Sequence, residues 1–149
     1  MPLKDQALHL AALGYRVFPL ERGGKRPIVA EWQKRATTDP ATIEAWWAEA
    51  PEANIGIATG HGLVVLDCDC KDGRDGLGSL ALLDMMGLPP SMRVRTVSGG
   101  VHVYLACSSE RFNSVDRLDG LPGIDVRGDG GFVVAPGSVV DGRKYEVIG

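Results

Sequence analysis

Two aspartates one residue apart end an apolar run in Leu63-Val64-Val65-Leu66-Asp67-Cys68-Asp69-Cys70. Such a run reads as a strand, and alternate side chains of a strand share a face. Asp67 and Asp69 therefore point one way, while Val64, Leu66, Cys68 and Cys70 point into the core. Carboxylates about 7 Å apart along a strand repel unless a cation lies between them. Hard divalent ions such as Mg²⁺ or Mn²⁺ suit paired oxygen ligands, and a strand holds those ligands rigidly. The other reading is a strand end running into a solvated acidic loop, since Lys71-Asp72-Gly73-Arg74-Asp75-Gly76 follows. A calcium loop fits worse: Asp72 stands where glycine is required and Gly78 where glutamate is.

A second stretch is Ser98-Gly99-Gly100-Val101-His102-Val103-Tyr104. Glycines at a hairpin tip let backbone N–H groups approach an anion closely, and a serine hydroxyl can join them. His102 starts the returning strand on the face opposite Val101, Val103 and Leu105. It is either a ligand for a nucleotide's phosphate oxygen or a surface histidine after a turn. In the third stretch, Gly123-Ile124-Asp125-Val126-Arg127, Ile124 and Val126 face the core, so Asp125 and Arg127 share the other face. These two form a surface ion pair worth under about 1 kcal/mol. Alternatively, Asp125 completes a metal site and Arg127 meets a triphosphate with its planar fork.

The elements that must position these residues follow from periodicity and breakers. Residues 3–13 read as a helix with Ala7, Leu8, Ala11 and Ala12 on one side and Gly14 as its stop. Residues 15–20 form a strand that leads into the basic loop Arg22-Gly23-Gly24-Lys25-Arg26-Pro27. Asp39-Pro40 opens a helix that carries Ile43, Trp46 and Trp47 and ends near Pro51. Residues 54–60 are a short strand closing in a glycine turn. A core-facing helix spans 77–86, stopped by Gly87 and Pro89-Pro90. Residues 93–97 and 101–106 read as a hairpin around Ser98-Gly99-Gly100. Residues 124–127 and 132–135 flank a glycine-rich turn. Residues 139–140 and 144–147 flank the hairpin signal Asp141-Gly142. Trp32, Trp46 and Trp47 are expected to pack in the core, and Arg93 and Arg95 either face a template backbone or line a solvated edge.

The length of 149 residues suits a single domain, 1–149, and the 44% apolar and 23% charged content is that of a globular protein. Twenty glycines and nine prolines fall at the joints between short apolar runs, which indicates a turn-rich α+β domain. No run approaches the roughly 18 apolar residues of a membrane helix. The N-terminus lacks a secretory h-region, so a cytoplasmic protein with no membrane partner is expected. Cys68, Cys70 and Cys107 are too few for a disulfide framework or a four-ligand zinc site. A net charge of −3 runs against nucleic-acid binding, whose domains are usually basic. A carboxylate cluster for divalent cations adds negative charge by itself, however, and basic residues can be grouped on one face.

The ordered set, Asp-x-Asp on a strand, Ser-Gly-Gly-x-His on a hairpin and a later strand aspartate, resembles the archaeo-eukaryotic primase superfamily. It resembles most closely the prim-pol domain at the N-terminus of bifunctional DNA primase/polymerases of plasmids and phages. Val17-Phe18-Pro19-Leu20, Gly24-Lys25-Arg26-Pro27, Trp32, Trp46-Trp47 and Asn54-Ile55-Gly56-Ile57 with Thr59-Gly60 also resemble that domain, as does Gly131-Phe132-Val133-Val134-Ala135-Pro136 with Ser138. The similarity covers about residues 10 to 147. It implies an RRM-like primase/polymerase core with a mixed or antiparallel sheet flanked by helices. On it, Asp67, Asp69 and Asp125 would hold two Mg²⁺ or Mn²⁺ ions, one activating the primer 3′-hydroxyl and one binding the triphosphate and the leaving pyrophosphate. Ser98, Gly99, Gly100 and His102 would bind the incoming nucleotide's phosphates, with Lys25 and Arg127 as further phosphate contacts. The implied partners are a DNA template and primer, deoxy- or ribonucleoside triphosphates, and a helicase domain or protein. Family primases usually need a helical segment beyond the core to start a strand, so extension of a primed template is the activity expected of residues 1–149.

Two other classes compete. A haloacid-dehalogenase-like phosphatase also uses a strand ending in Asp-x-Asp, but Lys71 replaces the expected Thr or Val and no Gly-Asp-x-x-x-Asp follows. A non-catalytic RRM-like module would present exposed aromatics for base stacking; Tyr104 shares His102's face, but no aromatic cluster follows.

Overall fold

The computed structural model describes residues 1–106 and 121–149; Cys107 lies outside the described residues. In chain order the elements are α1 (Leu3–Ala12), β1 (Val17–Leu20), α2 (Trp32–Arg35), α3 (Pro40–Glu49), β2 (Asn54–Ala58), β3 (Leu63–Cys68) and α4 (Gly76–Met85). They continue with β4 (Arg93–Arg95), β5 (Val101–Ala106), β6 (Ile124–Arg127), β7 (Phe132–Val134), β8 (Val139–Val140), β9 (Arg143–Lys144) and β10 (Glu146–Val147). The fold is α+β, and the strand pairings among the described residues are antiparallel. Contacts gather the chain into two compact units, Met1–Ala58 with Phe132–Tyr145 and Thr59–Gly131 with Glu146–Gly149. No described helix is long and apolar enough to cross a membrane.

The first unit is built on the sheet β1-β2-β7, against which α1 and α3 pack. Asp39 caps α3 as its sequence predicts: its Oδ2 accepts the Thr42 N–H at 3.1 Å and the Thr42 hydroxyl at 2.6 Å, with Pro40 opening the helix. The buried line of α1 is Ala7, Leu10 and Ala11, and Ala12 is exposed. Positions i, i+3 and i+4 share a face, whereas Ala12 lies a further 100° round the helix. Trp47 is buried and its indole N–H donates to the Ala53 carbonyl at 2.9 Å. Trp32 stacks on Phe18 with centroids 4.8 Å apart, and Phe132 meets both rings edge-on. Of the three tryptophans expected in the core only Trp47 is buried; Trp32 and Trp46 are half-buried, and Trp32 reaches its ring partners from a four-residue helix that periodicity does not reveal.

Strand β2 is buried along its whole length, and a polar staple holds it. The Asn54 side-chain amide donates to the Gly24 and Val139 carbonyls at 3.0 and 2.8 Å, and its oxygen accepts the Val139 N–H at 3.0 Å. Truncation leaves part-buried backbone groups of Gly24 and Val139 without these partners, which costs about 1–3 kcal/mol. Asn54→Ala is therefore expected to lower the urea midpoint at unchanged m-value, by about 2 kcal/mol of unfolding free energy. An unaltered midpoint would show that the staple is dispensable.

The second unit carries a five-stranded sheet of order β10-β4-β5-β3-β6. Helix α4 connects β3 to β4 and leaves between them the place that β5 fills, a split βαβ arrangement. Asp75 caps α4, accepting the Gly78 N–H at 2.9 Å. Val64, Leu66 and Cys68 of β3 join Val103, Ile124, Val126 and Leu80 of α4 in one apolar cluster. That cluster fixes which face of the sheet carries the other side chains.

Cys70, expected in the core, is exposed, because the strand ends at Cys68 and the chain turns into a single 3₁₀ turn at Lys71–Gly73. Burial, with the Asp67 carboxylate beside it, pushes the Cys68 thiol up to about 12. Alkylation depends on the thiolate and on access. Iodoacetamide at neutral pH is accordingly expected to label Cys70 and spare Cys68 in the native protein. Equal labelling, read peptide by peptide by mass spectrometry, would contradict the burial.

Beyond β6 the expected strands divide differently. β6 pairs with β3, whereas β7 pairs with β2 in the other unit's sheet. Asp141 and Gly142, both at positive φ (52° and 74°), form the tight turn between β8 and β9. Residues 144–147 are not one strand: Tyr145 is buried in the first unit, and Glu146–Val147 pairs with β4 in the second.

Candidate functional site

Register places the candidate residues of the second unit. Asp67 of β3 lies directly opposite Asp125 of β6 on one side and His102 of β5 on the other. One row across three strands therefore reads Asp125-Asp67-His102, and the next reads Arg127-Val65-Tyr104. Both rows lie on the face opposite the apolar cluster, as the period-two alternation predicts. The side chains of Asp67, Asp125 and His102 are 23, 12 and 8% exposed, recessed but reachable for the acids. His102 is thus no surface histidine; its Nε2 lies 3.5 Å from Asp67 Oδ1.

Asp69 follows the end of β3, and its position is fixed by backbone. Its N–H donates to the Gly123 carbonyl at 2.7 Å, and its carbonyl accepts the Gly76 N–H at 2.9 Å. A Cβ on either Gly76 or Gly123 would overlap these backbone atoms, so the close approach requires glycine at both positions. The side chain accepts the Lys71 N–H at 3.1 Å through Oδ1. Through Oδ2 it lies 3.9 Å from Arg74 Nη2, while Arg74 Nη1 lies 3.5 Å from Asp125 Oδ1. Arg127 Nη2 lies 3.9 Å from both Asp67 Oδ2 and Asp125 Oδ2. The three carboxylates are therefore drawn together by two shared guanidinium groups.

Burial alone would push the Asp67 carboxyl up, but His102, then Arg127 and Lys71, outweigh it and hold it below its ordinary value. Ionised Asp67 therefore contributes stability above the unfolded value of about 3.9, and this is lost as pH falls through the lower folded value. As placed, with arginines between the acids, no three His, Cys, Asp or Glu side chains among the described residues close on a metal-sized point. The donor set nonetheless fits hard divalent ions. Directly opposed residues in an antiparallel pair have Cβ atoms about 4.5–5.5 Å apart, within bridging reach of one ion.

The hairpin tip is more self-contained than its glycines suggest. Gly99 N–H donates to the Thr96 carbonyl at 3.1 Å and Gly100 N–H to Thr96 Oγ1 at 3.0 Å. Gly100 also lies against the Cys68 carbonyl, where a Cβ would overlap it. In this conformation the two glycine amides are engaged within the turn; the exposed Ser98 keeps its hydroxyl 3.2 Å from Thr96 Oγ1. Lys25 belongs to the first unit, exposed on a turn closed by Glu21 N–H to the Arg26 carbonyl at 2.7 Å. Arg93, offered as a template contact, bonds Asp84 of α4 at 3.0 and 2.5 Å, and Arg95 lies 4.0 Å from Glu146. Both alternate with Val94 onto the face of the apolar cluster, away from the acids. Sequence reasoning missed Arg74, Gly76 and Gly123. The one available signal was Asp75-Gly76 as a helix start, which limits the loop after Asp69 to a few residues and returns Arg74 to the acids.

Fold and site define an α+β protein whose antiparallel sheet carries an acidic cluster, interleaved with arginines, on one face. The family model for the N-terminal domain of bifunctional DNA primase/polymerase, Prim-Pol, matches residues 7–149, and the chain belongs to that family. No curated protein matches the chain.

Proposed function

We propose that the chain is a template-dependent nucleotidyltransferase that adds nucleotides to a DNA primer's 3′-hydroxyl, with Asp67, Asp69 and Asp125 as ligands for two divalent ions. The observation that carries this reading is the direct opposition of Asp67 and Asp125. Like charges directly opposite on antiparallel strands destabilise a sheet unless cations offset them. A family of DNA primase/polymerases supplies the reason to keep such a pair. Bound Mg²⁺ or Mn²⁺ would make the 3′-hydroxyl a better nucleophile and neutralise charge on the triphosphate. Positioning and charge neutralisation dominate phosphoryl transfer, so the chain's own side chains have little acid–base work. His102 holds Asp67 in place and stands at the row's end for a phosphate oxygen; Arg127 offers its fork to the same group. Ser98 is a further phosphate contact in this reading.

Purified protein with a labelled primed template and dNTPs or NTPs tests the reaction class. Extension that requires Mg²⁺ or Mn²⁺ and stops on chelation is expected. No incorporation on any primed template, with phosphate released from a simple phosphomonoester instead, would replace this reading with a phosphatase.

A further inference from the structure

We propose that Arg74 is the internal counter-cation of the Asp69–Asp125 pair and yields its place when a divalent ion binds, so that arginine and metal compete for the same carboxylates. The inference rests on the reading of these acids as metal ligands. One guanidinium touches both acids, at 3.9 and 3.5 Å. These distances exceed the roughly 2.7–2.9 Å of a charge-assisted hydrogen bond, so the contact with these two acids is an ion pair without hydrogen-bond geometry. The arginine is brought there by a built loop. Asp72 and Gly73 take positive φ, 57° and 76°, and reverse the chain, and Arg74 N–H closes the turn on the Lys71 carbonyl at 3.1 Å. Asp69 and Gly76 then pin the loop's two ends together. A quarter of the Arg74 side chain is exposed, which leaves it a way out. A guanidinium between two carboxylates lessens their repulsion without metal and repels an incoming divalent ion, so both cannot occupy the position.

The device has a signature that a merely structural arginine lacks: its removal weakens the metal-free fold and strengthens metal binding. Mn²⁺ titrations by calorimetry or electron paramagnetic resonance, with thermal melts of the metal-free proteins, read both. Arg74→Gln is expected to bind Mn²⁺ roughly three- to tenfold tighter than wild type, the range one or two half-buried ion pairs correspond to. Its metal-free melting midpoint is expected to fall, and Arg74→Lys, which keeps the charge, is expected to bind Mn²⁺ close to the wild-type affinity. Loss of Mn²⁺ binding in Asp67→Asn/Asp69→Asn with unchanged or weaker binding in Arg74→Gln would sink the exchange and leave the metal centre standing. Equal Mn²⁺ binding by wild type and the aspartate variant would overturn both.

Discussion

Asp67→Asn is expected to slow primer extension by roughly a thousandfold or more, the factor that about 4 kcal/mol of lost transition-state stabilisation corresponds to. Asparagine keeps the side chain's shape and a hydrogen-bonding oxygen near His102, so packing changes little. It removes the charge that would hold a divalent ion in the proposed site, at the acid that has His102 opposite it on one side and Asp125 on the other. Asp125→Asn is expected to act similarly, because Asp125 shares Arg127 with Asp67 and Arg74 with Asp69. In single-turnover assays the loss should fall on the rate of addition rather than on template affinity. A variant extending primers at a tenth of the wild-type rate or better would remove Asp67 from the metal ligands.

Gly76→Ala carries the second large effect, although Gly76 bears no functional group. Its Cβ would overlap the backbone N and O of Asp69 and the Gly123 carbonyl. None of these is the free end of a flexible side chain, so relief comes only by moving the backbone that aims Asp69. Overpacking of this kind costs about 1–3 kcal/mol of stability. A shift of about 1 Å in a catalytic group can cost a hundredfold in rate. Extension is therefore expected to fall about a hundredfold in protein that circular dichroism shows folded at the assay temperature. Gly123→Ala, whose Cβ would overlap the Gly76 nitrogen and the same Asp69 carbonyl at a positive φ of 81°, should behave alike. Near-normal extension by folded Gly76→Ala would mean that the position of Asp69 is not critical.

What was legible in the sequence is what period-two alternation and local breakers encode. The face that Asp67 takes, the apolar face behind it, the pairing of Asp125 with Arg127 on one side and the β4–β5 hairpin all follow from neighbouring residues, whereas Asp69 lies past the end of β3 and is placed by backbone bonds to Gly76 and Gly123. Which strands lie beside β3 does not: β6 reaches it from far along the chain, so the opposition of Asp67 and Asp125 is a tertiary fact. Cys70 misled because strand periodicity was carried past the point where the turn at Lys71–Gly73 interrupts it. Arg74 read as part of a solvated loop because the bonds returning it to the acids run through backbone, at Asp69, Gly76 and Gly123. The glycines of the Ser98 hairpin suggested an anion cradle, yet their amides are engaged by Thr96, whose hydroxyl gave no local sign of that role. Residues 144–147 carry one alternating pattern and still divide between the two units, since pattern alone does not name the partner strand.

The central claim is that divalent ions sit among Asp67, Asp69 and Asp125, and iron-mediated affinity cleavage tests it where it stands. Fe²⁺ replaces Mg²⁺, and ascorbate with peroxide then generates radicals that cut the backbone beside the bound ion. The account predicts cuts confined to the end of β3 and the following turn, to β6 and to the facing part of β5 around His102. Excess Mg²⁺ should suppress them, and Asp67→Asn/Asp69→Asn should lack them. Cuts elsewhere in the chain, or the same cuts in that variant, would contradict a metal centre at these aspartates.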